Sequence, residues 1–452
     1  MLFRLAQPMQ FEMDWLAKPE DSSASEELMT RCRMGLSVSG RQLFRYEDLL
    51  GEHQVKNAIT VSAYPLALWF AANWWRLRWE PNFTPDSAFS LHDWKMSHTL
   101  AAAGGGYAWP NLTVVSDGEN VQLNLKPSQE DLGPLRYIEN LDAWISATDY
   151  ESGLDQFINR TLKQLRSLGE QTTLHELWQT VSEERLAPST ALQRQLEARL
   201  GYDPEDAPQP LLALLVQLAS AHGEGAVQEL ASLGHEKAEK TIKEVRQSLT
   251  ASADTIKLPL KSVRKLMELL TNGKPGHPWE KGRNAASATR KQLGIDKGPL
   301  NNKKLAELVE TPVQLLESSQ ISGPPTIGMG EVMRGGRAKV VLGKTHKNAR
   351  RFMTARLIAD GIYAGETGNW LPCTNATTAR QKFQRAFAQE FLCPYPDLIE
   401  WMNTTSPNDD VLEAAAEHFE VSPLLINTAM VNHGHKPRTE LENFFIDTSR
   451  AY

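Results

Sequence analysis

The stretch 64–79, YPLALWFAANWWRLRW, constrains the fold most, because apolar residues lie on nearly every face of the helix that it predicts. Pro65 suits the first turn of such a helix. A helix that is apolar all round must be surrounded by other elements, so we expect it at the centre of a domain. Tryptophans interleaved with arginines are also typical of surfaces that stack on single-stranded nucleic acids, but the spacing of these rings favours core packing.

Short β-prone segments surround that helix in the sequence. They predict strands at 11–16, 34–39, 42–46 and 58–62. A hairpin is predicted over 112–125, where Asp117-Gly118 suits a type I′ turn. We therefore expect residues 1–148 to form an α+β domain with a mainly antiparallel sheet. Its loop at Gly104-Gly105-Gly106 lies close to His98, which gives one hypothesis of an enzyme site.

Helical periodicity dominates the next stretch, 149–255, which we predict to be a separate helical domain. Thr173 and Glu176 have the spacing of a capping box. Further helices are predicted at 190–200, 210–221 and 226–249. His175-Glu176 and His235-Glu236 begin as zinc-binding motifs do, but neither pair has a second histidine at the right spacing, so we interpret both as exposed helix faces.

Composition bounds the class of protein. A chain of 452 residues with 41% apolar and 23% charged residues is typical of a globular protein with two to four domains. The absence of an eighteen-residue apolar run, of a convincing signal peptide and of paired cysteines leads us to expect a cytoplasmic protein that does not enter a membrane.

Basic residues are concentrated in the second half of the chain, although the net charge is −7. Phosphate is the natural partner of such clusters, so nucleic-acid binding by the 237–351 region is an alternative hypothesis, beside the simpler interpretation as solvated helix faces. The candidate contacts in its second part are Arg334, Arg337, Lys344, Lys347, Arg350 and Arg351.

The last third of the chain has a recognisable order of segments: a helix ending in RKQLG, the strand AKVVLGK, the helix RRFMTARLIADG, the helix FQRAFAQEFLCP and a closing helix-turn-helix-like segment around Val421-Ser422. The stretch 273–278, GKPGHP, precedes it as a predicted linker. This order resembles the ImmA/IrrE family of metallopeptidase-like domains. The resemblance covers about 278–434 and implies a zincin-like α+β domain, which we place at 256–452.

The resemblance also implies where a zinc site would lie. In that family the first helix carries HExxH, whose histidines bind zinc and whose glutamate activates water. The corresponding residues here are Arg356, Leu357 and Asp360, and the region of the third ligand holds Gln381, Lys382 and Phe383. We interpret Asp360 as an ion-pair partner of Arg356, one helical turn away. The sequence therefore predicts neither catalytic residues nor a metal or other cofactor here.

The fold class predicted for the whole chain is α+β, mostly helical. The leading functional hypothesis is a non-catalytic ImmA/IrrE-like protein that binds a protein partner as a regulatory module. By resemblance alone, its setting would be a mobile element, phage defence or a toxin–antitoxin system. The alternatives are the nucleic-acid binder and an enzyme with its site near His98; the partner and the oligomeric state are left open.

Overall fold

The computed structural model describes residues 9–17, 25–50, 54–83, 90–128, 133–166, 171–251, 254–258, 276–295, 297–318, 325–365 and 368–436. The chain divides into two compact units, Met1–Val216 and Gln217–Tyr452, and each has its own hydrophobic core. The fold is α+β and mostly helical, and the strand pairs within the described residues are antiparallel, which confirms the predicted class.

The first unit combines three small sheets with a set of helices. Its strands are β1 (Gln10–Trp15), β2 (Arg31–Val38), β3 (Arg41–Gln42), β4 (Tyr46–Asp48), β5 (Val55–Lys56), β6 (Ile59–Ser62), β7 (Asn111–Ser116), β8 (Asn120–Lys126), β9 (Leu135–Tyr137) and β10 (Leu141–Ser146). Its helices are α1 (Glu26–Met29), α2 (Ala63–Ala72), α3 (Trp74–Trp79), α4 (Leu91–His98), α5 (Ala147–Arg166), α6 (Thr173–Leu186) and α7 (Pro188–Leu200), and α8 (Gln209–His222) follows.

These strands form the sheets β10-β8-β7 and β5-β4-β9, and a third in which β2 pairs with β1, β3 and β6. The strands predicted at 11–16, 34–39 and 58–62 are therefore confirmed as β1, β2 and β6. The one predicted at 42–46 is instead divided between β3 and β4. Leu43 and Phe44 are adjacent and both buried, whereas successive residues of a strand point to opposite faces.

The stretch 64–79 lies in the core as expected, but as two helices. Asn73 ends α2 and precedes α3 with φ −98° and ψ 11°. Its side-chain Nδ2 donates to the carbonyl of Trp69 at 2.9 Å. An asparagine side chain that bonds the local backbone competes with the helical ladder, which accounts for the break.

The hairpin predicted over 112–125 is confirmed by the pairing of β7 with β8, but the turn type is wrong. The amide of Asp117 donates to the carbonyl of Asn120 at 3.0 Å, so Gly118 and Glu119 are the two central residues. Only Gly118 has a positive φ, +100°. A type I′ turn needs a positive φ at both central positions, whereas a type II′ turn needs it at the first alone.

The second unit is built around one four-stranded sheet. Its strands are β11 (Thr255–Lys257), β12 (Gly328–Val332), β13 (Arg337–Val341) and β14 (Trp370–Cys373), in the order β11-β13-β12-β14. Its helices are α9 (Glu224–Ala231), α10 (His235–Ala251), α11 (Pro278–Gln292), α12 (Asn302–Leu308), α13 (Val313–Glu317), α14 (Lys347–Ala364), α15 (Ala379–Leu392), α16 (Tyr395–Met402), α17 (Asp409–His418) and α18 (Pro423–Asn432).

Helix α15 lies at the centre of this unit and packs against α11 and α14. Phe383, Phe387 and Phe391 are buried along it and stack on one another. Gly282 of α11 permits the close approach of the two helices, because a Cβ placed there would lie 2.5 Å from the carbonyl oxygen of Phe383. The pair α14 and α15 is the predicted pair of helices, and it positions the site described below.

Other predictions for the middle of the chain have mixed outcomes. Helices at 190–200 and 210–221 correspond to α7 and α8, whereas 226–249 is two helices separated at Gly234, whose φ is +82°. The division into 1–148, 149–255 and 256–452 stays a prediction; in the structure, α5 to α7 belong to the first unit and α9 and α10 to the second. The first half of the predicted linker, 273–275, lies outside the described residues, as does part of the basic region. Its last residue, Pro278, begins α11.

Candidate functional site

Three polar side chains meet where α14, β14 and α15 come together. Arg356 of α14 is buried, and its Nη2 donates to Gln381 Oε1 at 2.5 Å, to Gln384 Oε1 at 3.1 Å and to the carbonyl of Thr374 at 2.7 Å. Both glutamines also donate through Nε2 to the carbonyl of Pro372 at 3.0 Å. The amides are therefore held with their oxygens towards the guanidinium.

A second set of charges lies one turn further along α14. Asp360 is fully buried and accepts two hydrogen bonds from Arg380 of α15, Nε to Oδ1 at 2.6 Å and Nη2 to Oδ2 at 2.7 Å. The prediction that Asp360 forms its ion pair with Arg356 is therefore wrong. The planar fork of Arg380 fits both carboxylate oxygens, and Arg356 is engaged with the glutamine amides.

Glu229 of α9 is the second buried carboxylate of this group and accepts from Thr378 Oγ1 at 2.6 Å. Thr378 is also the N-cap of α15, so this bond connects α9 to the start of that helix. We refer to Arg356, Asp360, Arg380, Gln381, Gln384 and Glu229 together as the buried polar cluster.

The charges of the buried polar cluster perturb one another. Burial lowers the pKa of Arg356, and the carboxylates of Asp360 and Glu229 only partly oppose that effect. Burial also disfavours the charged form of Arg380, but its pKa is raised overall because the charge and hydrogen bonds of Asp360 outweigh burial. Asp360 is thus neutralised by Arg380, and Arg356 remains a cation held mainly by neutral acceptors.

The other three positions compared with the zinc site of the family are Leu357, Lys382 and Phe383. Leu357 is fully buried and points to β12, since a Cβ added at Gly330 would lie 3.3 Å from its Cδ2. Phe383 is buried, whereas Lys382 lies over the ring of Trp279 with its Nζ 5.9 Å from the ring centre. Within the residues that the structure describes, no group of three His, Cys, Asp or Glu side chains could hold a metal ion.

Four of the six residues predicted to contact nucleic acid are accessible and two are not. Arg334, Arg337 and Lys347 are exposed and Lys344 is half-buried. Arg334 lies between β12 and β13 and Lys344 between β13 and α14, whereas Arg337 begins β13 and Lys347 begins α14. Arg337 also has a distant ion pair with Glu310, at 3.8 Å.

Arg350 and Arg351, the other two, are buried and bind protein acceptors. Arg350 donates to the carbonyls of Leu315 and Lys344 at 2.7 and 2.8 Å. Arg351 contacts the carbonyl of Leu300 and the carboxylate of Glu420. Burial lowers the pKa of both guanidinium groups. These two arginines hold the second unit together and do not present their charge to a ligand.

His98, the residue of the third hypothesis, is fully buried in the first unit. Its Nδ1 lies 2.8 Å from the carbonyl of Val114 and its Nε2 lies 2.9 Å from Glu80 Oε2. Its ring stacks on Trp94 with centres 4.2 Å apart. Both ring nitrogens are therefore engaged with protein acceptors, and His92 and Asp93 are exposed on α4 rather than gathered around His98.

His175 also differs from its prediction. It is nine-tenths buried rather than exposed, and the capping box is formed by Thr172 with His175 instead of Thr173 with Glu176. Sequence reasoning also missed Glu229, Arg380 and Gln384. A signal for Arg380 and Gln384 was present in the sequence. Together with Gln381 they are polar residues on one face of a helix whose phenylalanines indicate that it is buried.

No helix of the described residues is long and apolar enough to cross a membrane. Comparisons with known protein families, curated proteins and solved structures give no match to this chain.

Proposed function

We propose that this chain is a non-catalytic, ImmA/IrrE-like protein that acts by binding a protein partner. The observation that carries the proposal is the position of the Arg356 guanidinium, whose Nη2 donates to Gln381, Gln384 and the backbone where the resemblance would put a metal ion. A guanidinium offers only donors and has no lone pair for a metal.

Electrostatics strengthens this argument. Two unit positive charges about 4 Å apart repel by roughly 4 kcal/mol at an effective dielectric constant of 20, so a divalent cation beside Arg356 would be strongly disfavoured. Asp360 cannot compensate, because its two oxygens already bind Arg380. Leu357 has no group that accepts a proton from water.

Accessibility points the same way. Arg356, Asp360 and Arg380 are at most 6% exposed, and a peptide substrate would need a cleft at this place. In this proposal the helices α14 and α15 are a rigid support, and the protein partner binds at the surface of the molecule. The regulatory role, and a setting in a mobile element, phage defence or a toxin–antitoxin system, belong to this proposal by resemblance.

Affinity capture of the tagged full-length chain from its native host, with and without a zinc chelator, tests the proposal. We expect one protein to be recovered in stoichiometric amount, with its length unchanged and no effect of the chelator. Recovery of a partner cut at one position, with cutting blocked by the chelator, would contradict it. Arg356→Met serves as a matched variant, because a binding surface elsewhere should survive that change if the unit stays folded.

Nucleic-acid binding is the second candidate, and the exposure of Arg334, Arg337 and Lys347 favours it. Long cationic side chains at the ends of elements or between them can reach phosphates without rearrangement of the core. The buried Arg350 and Arg351 contribute nothing to this surface, so the footprint is smaller than the sequence predicts.

A further inference from the structure

A cavity of about 390 Å³ lies between α5 and α6 in the first unit and belongs to none of the sites above. Its lining includes Asp155 and Arg166 from α5 and His175, Glu176, Trp178 and Arg185 from α6. Its volume is in the range of sites for small molecules.

His175 carries a hydrogen-bond donor for which the described residues supply no acceptor. Its Nδ1 accepts from the backbone amide of Thr172 at 3.2 Å, so the ring hydrogen of the neutral imidazole lies on Nε2. That Nε2 is buried and has no hydrogen-bond partner among the described residues. A buried donor without an acceptor lowers the stability of a protein, and most buried donors in native proteins have one.

The charged residues of the lining are not equally available. Arg185 is already balanced, since its Nη1 and Nη2 lie 2.8 and 3.4 Å from the oxygens of Asp155. Arg166 is exposed at the end of α5. Burial, and then the charge of Arg166, lower the pKa of His175, so its ring is neutral near pH 7. Of the two arginines of the lining, Arg166 is therefore the better candidate to bind a ligand together with the His175 donor.

We propose that this cavity binds the oxyanion group of a small molecule, a carboxylate or a phosphate, with His175 Nε2 and Arg166 as its two contacts. An N–H donor and a guanidinium both seek acceptor oxygens, and a charged acceptor gives the stronger bond. The start of α6 at Thr173 adds the partial positive charge of a helix N-terminus. The ring of Trp178 supplies an apolar wall for the rest of the molecule.

The lining also limits the ligand. Asp155 and Glu176 balance Arg166 and Arg185 in formal charge, so no general excess of positive charge attracts anions here. Recognition rests on the two directed donors, which suits one oxyanion group rather than a polyphosphate chain. The site lies in the first unit, so it stands or falls independently of the proposed function.

Histidine-selective ¹⁵N labelling of the full-length chain tests the proposal by NMR. Inorganic phosphate is added in one arm and acetate in the other, at constant ionic strength, and His175→Gln assigns the ring signals. We expect a saturable shift of the His175 Nε2 signal in at least one arm. A response to phosphate alone indicates a phosphorylated ligand, and a response to acetate alone indicates a carboxylate.

The matched variants are Arg166→Ala and Lys163→Ala, two exposed cations of α5 of which only Arg166 lines this cavity. We expect Arg166→Ala to weaken binding by roughly tenfold or more, as the loss of a charge-assisted hydrogen bond does, and Lys163→Ala to leave it unchanged. Absence of a saturable shift in both arms, or equal weakening by the two variants, would overturn the proposal.

Discussion

Asp360 and Arg380 form a two-bond ion pair in the core of the second unit, with N–O distances of 2.6 and 2.7 Å. The pair connects α14 to α15 across 20 residues of sequence. It lies one helical turn from Arg356, so the three ionic side chains Arg356, Asp360 and Arg380 are grouped between α14 and α15. We infer that this group of side chains has a structural role.

Removing one partner of the Asp360–Arg380 ion pair should reduce stability more than removing both. Asp360→Ala leaves Arg380 buried and uncompensated, and we expect a loss of about 3–5 kcal/mol in the free energy of opening of α14 and α15. Asp360→Leu combined with Arg380→Met should recover most of that loss, because neither charge of the pair is then left buried without its partner. Hydrogen exchange of peptides from both helices measures it. Glu400→Ala, in the exposed pair of Glu400 with Lys297, is the control and should change nothing measurable.

The first unit should lose stability in acid through Glu80. Burial alone would raise the pKa of this carboxyl, but the hydrogen bonds and charges of His98 and Arg76 outweigh burial and hold the pKa below its ordinary value of 4.5. Because the folded-state pKa is lowered, the stabilisation is fully present above pH 4.5 and is lost as the pH falls through the folded-state pKa.

Glu80→Gln should therefore destabilise the first unit near neutral pH. It should also make the stability of this unit depend less on pH below pH 4.5. Hydrogen exchange of α3 and β7 at several pH values measures the effect. Glu12→Gln, at an exposed position of β1, is the control. An unchanged pH profile in Glu80→Gln would show that another group controls acid stability.

The contact of α11 with α15 should be sensitive to a single methyl group. In Gly282→Ala the new Cβ would meet the carbonyl oxygen of Phe383 at 2.5 Å and the Cβ of Ala386 at 3.1 Å, so the helices must separate. We expect a loss of about 1–3 kcal/mol, as overpacking typically costs, visible in urea denaturation of the second unit. Ser287→Ala, at an exposed position of the same helix, should be neutral or slightly stabilising.

The nucleic-acid hypothesis can be tested at residues whose charge is accessible. If it is right, the double variant Arg334→Glu and Lys347→Glu should weaken binding to labelled DNA or RNA and reduce the slope of log affinity against log salt by about 2 to 4, because each neutralised phosphate releases counterions. Fluorescence anisotropy at several salt concentrations measures both quantities. Unchanged affinity and slope would exclude this surface, whereas reversal at Arg350 or Arg351 would disrupt the core and be uninformative.

The sequence predicts the two helices of the site but not their polar contacts. The spacing of Phe383, Phe387 and Phe391 marks a buried helix, because residues three or four apart share a face. The contact of Arg356 with Gln381 depends on how α14 and α15 are aligned, and no local pattern encodes that alignment.

Local rules fail where distant groups compete. The helical spacing of Arg356 and Asp360 suggested an ion pair, yet Arg380 offers a better fit to the carboxylate. In the same way, Arg350 and Arg351 resemble surface residues in the sequence. Their burial depends on the carbonyls of Leu315 and Leu300, which other parts of the chain bring to them.

Metal analysis tests whether the helix pair holds an internal cation in place of zinc. The full-length protein, purified without chelator and incubated with zinc, is dialysed and analysed for metal by mass spectrometry beside Asp360→Ala. We expect no stoichiometric zinc in either protein. One zinc per chain in the wild type, lost in Asp360→Ala, would contradict it.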